Sequence, residues 1–240
     1  MLALIRSFIF TLIGTVLTVV YGTISLLLGG LPQVTRHRII ISWCNLIIGL
    51  ARWVCGVKYE VVGREHLKNL DSPVVVMSKH QSTWETLYLQ ILFFPASTIL
   101  KKSLLDIPFF GWGLRGLRPI GIDRDNPRDA LRQVKSGGVQ GIYDGLNVII
   151  FPEGTRMKQG ERGKYARSGA EIAVTSGAKV IPIAMNAGVY WPNKEFTKYP
   201  GTIHLVIGEP IITTDKTSRE VTIEVEQWIE HQMASMPTQR

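Results

Sequence analysis

The chain has 240 residues, 45% of them hydrophobic, and a formal net charge of +8. That length is generous for one domain and short for two, and the positive excess asks for an anionic partner. There is no basic stripe interleaved with aromatics and no low-complexity tail, so nucleic acid is excluded in favour of anionic lipid or a phosphorylated substrate.

Taken in chain order, Ser7 to Thr35 carries no charge, and Phe8 to Leu31 is long enough to cross a bilayer as a helix. A cleaved signal peptide needs a shorter apolar region and a small-x-small site, whereas this stretch leaves through Leu28-Gly-Gly-Leu-Pro-Gln33. A second uncharged stretch, Ile39 to Ala51, is too short to span. It predicts an interfacial or re-entrant helix with Trp43 and Trp53 at headgroup level. Arg6 alone flanks the leader on its N-terminal side, while Arg36, Arg38, Arg52 and Lys58 follow it, a bias that puts the bulk of the protein in the cytoplasm. Residues 1–57 thus read as membrane-anchoring helices and residues 58–240 as a globular domain. The two cysteines, Cys44 and Cys55, lie in apolar sequence as small buried hydrophobes, and the five histidines are scattered, so no metal site is expected.

Beyond Lys58 the pattern alternates short apolar strands with helices. Val57–Val62, Pro73–Ser78, Ser97–Leu100, Asn147–Phe151, Val180–Met185 and Thr202–Ile207 read as strands. Pro182 argues for an edge or irregular position for the fifth of these. Helices are predicted from about Ser82, over Asn126–Gly141, over Ala166–Gly177, and from about Ser218 behind a Thr217-x-x-Glu220 capping box. The alternation predicts an α/β fold with a largely parallel central sheet flanked by helices, preceded by an apolar, membrane-anchoring helical segment.

Two blocks carry chemistry. In His80-Gln-Ser-Thr-Trp-Glu85 an imidazole and a carboxylate stand at a spacing that puts them about 140° apart on a regular helix. They meet only if His80 lies in the turn after the strand and Glu85 in the first helical turn. There His80 can act as a general base that Glu85 orients; equally, Ser82-x-x-Glu85 is a capping box with no catalytic meaning. In Phe151-Pro-Glu-Gly-Thr-Arg156, Gly154 permits a sharp exit from a strand and Arg156 offers a planar fork for phosphate. Glu153 repels an anion, so it either orients Arg156 or bonds a substrate hydroxyl. The structural alternative is a Glu–Arg ion pair within the loop. Ile122-Asp-Arg124 supplies a second strand-end arginine, and Lys101-Lys102 follows another strand. The basic tract Arg156, Lys158, Arg162, Lys164 and Arg167 is either a solvated face or a lip pressed on anionic headgroups.

In order and spacing, His80-x4-Glu85, Ile122-Asp-Arg124, Phe151-Pro-Glu-Gly-Thr-Arg156 and Val180-Ile-Pro-Ile183 resemble the four blocks of the glycerolipid acyltransferases. The resemblance covers roughly residues 58 to 212. It implies acyl transfer from acyl-CoA or acyl-carrier protein to the sn-2 hydroxyl of lysophosphatidate, giving phosphatidate at a bacterial inner membrane, with the catalytic domain on the cytoplasmic side and no cofactor or metal. His80 and Glu85 match the family's base and its acid. Arg124, Glu153, Gly154 and Arg156 match the substrate-binding positions, and Lys101 or Lys102 a further phosphate contact. The family's usual acid is Asp, one methylene shorter than Glu85, and the second block lacks the usual aromatic before Ile122. Other acceptors, such as a lyso-ornithine lipid or lysophosphatidylglycerol, fit the same blocks. A non-catalytic anionic-lipid binder would keep the leader and the basic tract without needing His80.

Overall fold

The computed structural model describes all residues except Asn69, Arg124, Asp125, Arg240 and the side chain of Pro127. Two long helices open the chain, α1 (Leu2–Leu27) and α2 (Gln33–Leu50), the second running on through a π turn over Ala51–Cys55. The strands are β1 (Val57–Val62), β2 (Val75–Ser78), β3 (Ala96–Lys101), β4 (Ile120–Ile122), β5 (Asn147–Ile150), β6 (Val180–Met185) and β7 (Gly201–Ile207). Between and after them come α3 (Trp84–Leu92), α4 (Phe110–Arg115), α5 (Pro127–Tyr143), α6 (Ser168–Ser176), α7 (Ala187–Tyr190) and α8 (Ser218–Ser235). The expected capping box starts α8: Thr217 Oγ1 accepts from the Glu220 amide while Glu220 accepts from the Thr217 amide.

The seven strands form one sheet in the order β1-β7-β6-β2-β5-β3-β4, parallel throughout except for the β6–β7 pair. All residues of β2 and β6 are buried, which explains why these central strands read as unbroken apolar runs. One face packs on α2 and α3 through residues such as Ile48, Trp84 and Leu89; the other packs on α5, α6 and α8 through Val134, Ile172 and Val225. The connection from β2 crosses one face by α3 towards β3, and that from β5 crosses the other by α6 towards β6. The carboxyl ends of the adjacent strands β2 and β5 therefore flank the crevice at which the chain changes direction, where open α/β sheets bind ligands.

Two local expectations are corrected. Of the edge or irregular position expected for Val180–Met185, the edge is wrong, because β6 lies between β2 and β7, while the irregular position holds at Pro182. Pro182 sits opposite Met77 of β2, and on its other side the β7 ladder has already ended at Ile207. Only the Gly208 amide reaches over, donating to the Pro182 carbonyl at 2.9 Å, so the missing proline N–H falls where regular pairing stops. The second apolar helix is also longer than Ile39–Ala51. It begins at Gln33 and includes Arg36 and Arg38, the latter with its guanidinium 5.7 Å from the Phe94 ring centroid. Both Leu2–Gly30 and Gln33–Cys55 are long and apolar enough to cross a membrane.

The leader is packed as well as exposed. Phe8, Leu12, Val16, Val20 and Leu27 of α1 face outward, while Ser7, Phe10, Gly14 and Gly22 are buried. Phe10 packs edge-on against Trp191, and the Lys198 amide donates to Ser7 Oγ at 2.8 Å. A Cβ at Gly22 would lie 2.4 Å from the Phe109 carbonyl oxygen, so glycine is what lets α1 close on the start of α4. Cys44 and Cys55 are buried thiols in this packing, and Trp43 turns inward onto Phe110; of the two tryptophans expected at a headgroup level, Trp53 alone is fully exposed.

Candidate active site

The chain leaves β2 at Ser78 and makes a non-helical turn through Lys79 to Thr83 before α3 begins. In that turn His80 Nδ1 lies 2.9 Å from Glu85 Oε1. The same oxygen accepts the amides of Gln81 (2.7 Å) and Ser82 (2.6 Å). The two readings of this spacing are therefore both realised by one atom: Glu85 holds the turn and meets the imidazole. Ser82 contributes as well, its Oγ accepting from the Trp84 amide, and the helix starts two residues later than expected. The Glu85 side chain is fully buried and that of His80 is 13% exposed. A carboxylate oxygen that already accepts two amides cannot donate, so the network assigns the proton to Nδ1 and leaves Nε2 able to accept one. Phe151, just past β5, stacks on the imidazole with ring centroids 4.0 Å apart.

Glu153 does not orient Arg156. Its Oε1 accepts from Lys79 Nζ at 2.7 Å and from the Gly163 amide at 3.0 Å; Oε2 accepts from the His80 amide at 3.2 Å. The carboxylate is buried and filled by these donors, so the Glu–Arg loop pair of the structural alternative is not formed either: Glu153 pairs with Lys79, next to His80 in the chain. Lys79 Nζ also reaches Glu230 Oε1 of α8 at 3.0 Å, and Tyr165 Oη donates to that same oxygen at 2.8 Å. Burial pushes the Tyr165 hydroxyl upward, so it remains a donor. The sequence reading missed Lys79, Tyr165 and Glu230. A lone lysine next to a buried strand is the only local cue.

Arg156 donates from Nε to the Ser82 carbonyl at 3.1 Å and from Nη1 to Asn193 Oδ1 at 3.4 Å, with no carboxylate in ion-pair reach among the described residues. Gly154 adopts φ +69°, the left-handed conformation that turns the chain out of β5. His80, Gly154 and Arg156 line one cavity of about 830 Å³, together with Lys101. Lys102 is exposed and outside that lining, and Arg124 lies outside the described residues. Away from these polar groups the wall is apolar, with Trp43, Leu104, Phe110 and Leu131, and Tyr21 and Gly22 of α1 close it. Of the basic tract, Arg162 is paired with Glu226 of α8. Among the described residues there is no group of three or more His, Cys, Asp or Glu that could hold a metal ion.

A strand-end imidazole backed by a buried carboxylate, lining an apolar cavity together with an arginine that has no carboxylate partner among the described residues, is the equipment of an enzyme that deprotonates a hydroxyl on an anionic, apolar substrate. The comparisons agree with that class: the family model described as Acyltransferase matches residues 58–186, and the chain belongs to this family. It is 43% identical over 237 residues to the 1-acyl-sn-glycerol-3-phosphate acyltransferase of Pseudomonas aeruginosa, covering 97% of this chain and 91% of that protein. It is 28% identical to the enzyme of the same name from Borreliella burgdorferi over 58% of this chain and 55% of the relative. The fold matches the crystal structure of the 1-acyl-sn-glycerophosphate acyltransferase of Thermotoga maritima, with TM-score 0.80 and 24% identity over 96% of this chain and 94% of that one.

Proposed function

We propose that this chain transfers a fatty acyl group from acyl-CoA or acyl-carrier protein to the sn-2 hydroxyl of 1-acyl-sn-glycerol 3-phosphate, giving phosphatidate. Its proposed setting is a bacterial inner membrane, with the catalytic domain on the cytoplasmic side. The observation that carries this reading is the His80–Glu85 contact at 2.9 Å facing a cavity that Arg156 shares. The acceptor hydroxyl gives its proton to His80 Nε2 as its oxygen attacks the thioester carbonyl. Glu85 stabilises the imidazolium formed. Collapse of the tetrahedral intermediate breaks the carbon–sulfur bond, and the imidazolium returns the proton to the leaving thiolate. Nucleophile and leaving group both come from the substrates, so no covalent enzyme intermediate is required. Arg156, with Lys101 and Arg124, receives the phosphate, and the apolar wall receives an acyl chain.

The test is acyl transfer by the purified full-length protein in mixed micelles, with lysophosphatidate beside lysophosphatidylglycerol and lysophosphatidylcholine. Lysophosphatidate should be preferred, and His80→Ala should lower kcat by about 10² to 10⁴, the usual range for a lost general base. Equal use of the zwitterionic acceptor, or wild-type turnover by His80→Ala, overturns the proposal.

A further inference from the structure

Behind the α2–α3 contact, away from His80, lies a second cavity of about 330 Å³ that shares no lining residue with the first. Its polar wall comes from Asn45 and Arg52 of the second helical stretch, Tyr59 of β1, Arg64 and Tyr88 of α3. Two of these residues are guanidinium groups and none of the lining residues is acidic. Among the described residues, neither Arg52 nor Arg64 has a carboxylate within ion-pair distance.

The two arginines are positioned differently from ordinary surface cations. Arg64 Nη2 donates to Tyr88 Oη at 2.5 Å. Tyr88 is itself buried, stacked on Trp84 with centroids 4.6 Å apart and tilted against Tyr59 at 4.8 Å. The brace leaves the rest of the Arg64 fork for a ligand. Arg52 sits in the π turn, beside Trp53, with its guanidinium 5.7 Å from the Trp53 ring centroid.

The surroundings select the source of the anion. Trp53 is exposed at the cavity's rim, and Leu46, two helical turns earlier on the same side, is exposed as well. α1, which packs against this helical stretch, exposes apolar side chains of its own, among them Phe8, Leu12 and Val16. Tryptophan takes the level of lipid headgroups, so the rim lies where lipid phosphates are dense. A free phosphate would meet the same guanidiniums, but only a lipid also covers Leu46 and Trp53. We infer that Arg52 and Arg64 hold the phosphate of an anionic phospholipid, separate from the acyl acceptor, with its chains against Leu46 and Trp53.

The full-length protein in detergent micelles tests this by tryptophan fluorescence, with lipids brominated on their acyl chains as quenchers. The Trp53 component is the difference from Trp53→Phe. Brominated phosphatidylglycerol should quench it at about five- to tenfold lower mole fraction than brominated phosphatidylcholine, the scale of two basic residues near lipid phosphate. Arg52→Gln/Arg64→Gln should erase that ratio while acyl transfer to lysophosphatidate continues, which also reports that the variant folds. Tyr88→Phe, which removes only the brace on Arg64, should give an intermediate ratio. Equal quenching by the two lipids, or a ratio that survives the double substitution, overturns the inference. Relief of quenching by inorganic phosphate at matched ionic strength also overturns it, in favour of a site for soluble anions.

Discussion

Substituting Glu85 with Gln separates charge from geometry at the centre of the site. Oε1 of Glu85 takes three hydrogen bonds, from His80 Nδ1 and from the Gln81 and Ser82 amides, while Oε2 has no partner among the described residues. A glutamine can keep all three bonds with its amide oxygen and place its NH2 where Oε2 lies. The turn and the imidazole tautomer then survive, and the negative charge alone is lost. We predict that Glu85→Gln lowers kcat by about 10² to 10⁴, which is about 3–5 kcal/mol of transition-state stabilisation. Its cost to stability is about 1–3 kcal/mol, from an NH2 buried without a partner. Glu85→Ala orphans two buried amides as well, each worth about 1–3 kcal/mol, and should unfold at clearly lower temperature. Glu85→Asp keeps the charge on the arm the family usually uses, so it should retain activity. The assay is phosphatidate formation at saturating donor, with thermal denaturation in the same detergent. Wild-type turnover by Glu85→Gln would show that Glu85 serves the turn alone. A Glu85→Gln variant as unstable as Glu85→Ala would show that the charge, not the three bonds, holds the loop.

Three further outcomes follow from the same geometry. Arg156→Ala should raise KM for lysophosphatidate by about 10- to 100-fold, the scale of a lost charge-assisted contact, with a smaller effect on the acyl donor; Arg156→Lys should not restore it, because one ammonium cannot hold the Ser82 carbonyl and present a fork to phosphate. An equal change in both KM values would refute the phosphate assignment. Lys79→Met strands the carboxylates of Glu153 and Glu230 and should destabilise the protein by about 3–5 kcal/mol in thermal or denaturant unfolding, whereas an unchanged midpoint would mean the cluster is not a buried ion network. Gly22→Ala places a methyl group 2.4 Å from the Phe109 carbonyl oxygen and should cost about 1–3 kcal/mol. Gly29→Ala, with nothing within 4 Å of its Cβ, is the control, and equal stability of the two would remove the close α1–α4 contact from the account.

What the sequence reveals depends on how local the responsible interaction is. β2, β5 and β6 are legible because a strand covered on both faces is an apolar run whatever its neighbours are. The His80–Glu85 turn is legible because both partners lie within one strand-to-helix connection. Pro182 misleads because the rule that sends proline to sheet edges concerns a whole strand, whereas a single N–H faces only one neighbour, and here that neighbour's ladder has ended. The start of α2 is misjudged because Arg36 and Arg38 interrupt the charge pattern without interrupting the helix. Glu153 is misassigned and Glu230 overlooked because their partner, Lys79, is far away along the chain, and no periodicity records which distant groups will meet. The role of α1 as a wall of the main cavity is hidden for the same reason: apolar composition gives the helix a surface to bury but not the groove that receives it.

The pairing of β1 with β7, and of Ser7 with Lys198, ties an earlier part of the chain to a late one. During synthesis α1 and α2 leave the ribosome while Gly201–Ile207 does not yet exist. Val57–Val62 then waits with both edges unpaired, directly behind two helices long and apolar enough to cross a bilayer. Closure of so long a loop is slow, as it is whenever contacts join distant residues. The domain therefore completes its sheet late, and β1 is the segment most in need of shielding from neighbouring nascent chains until β7 arrives.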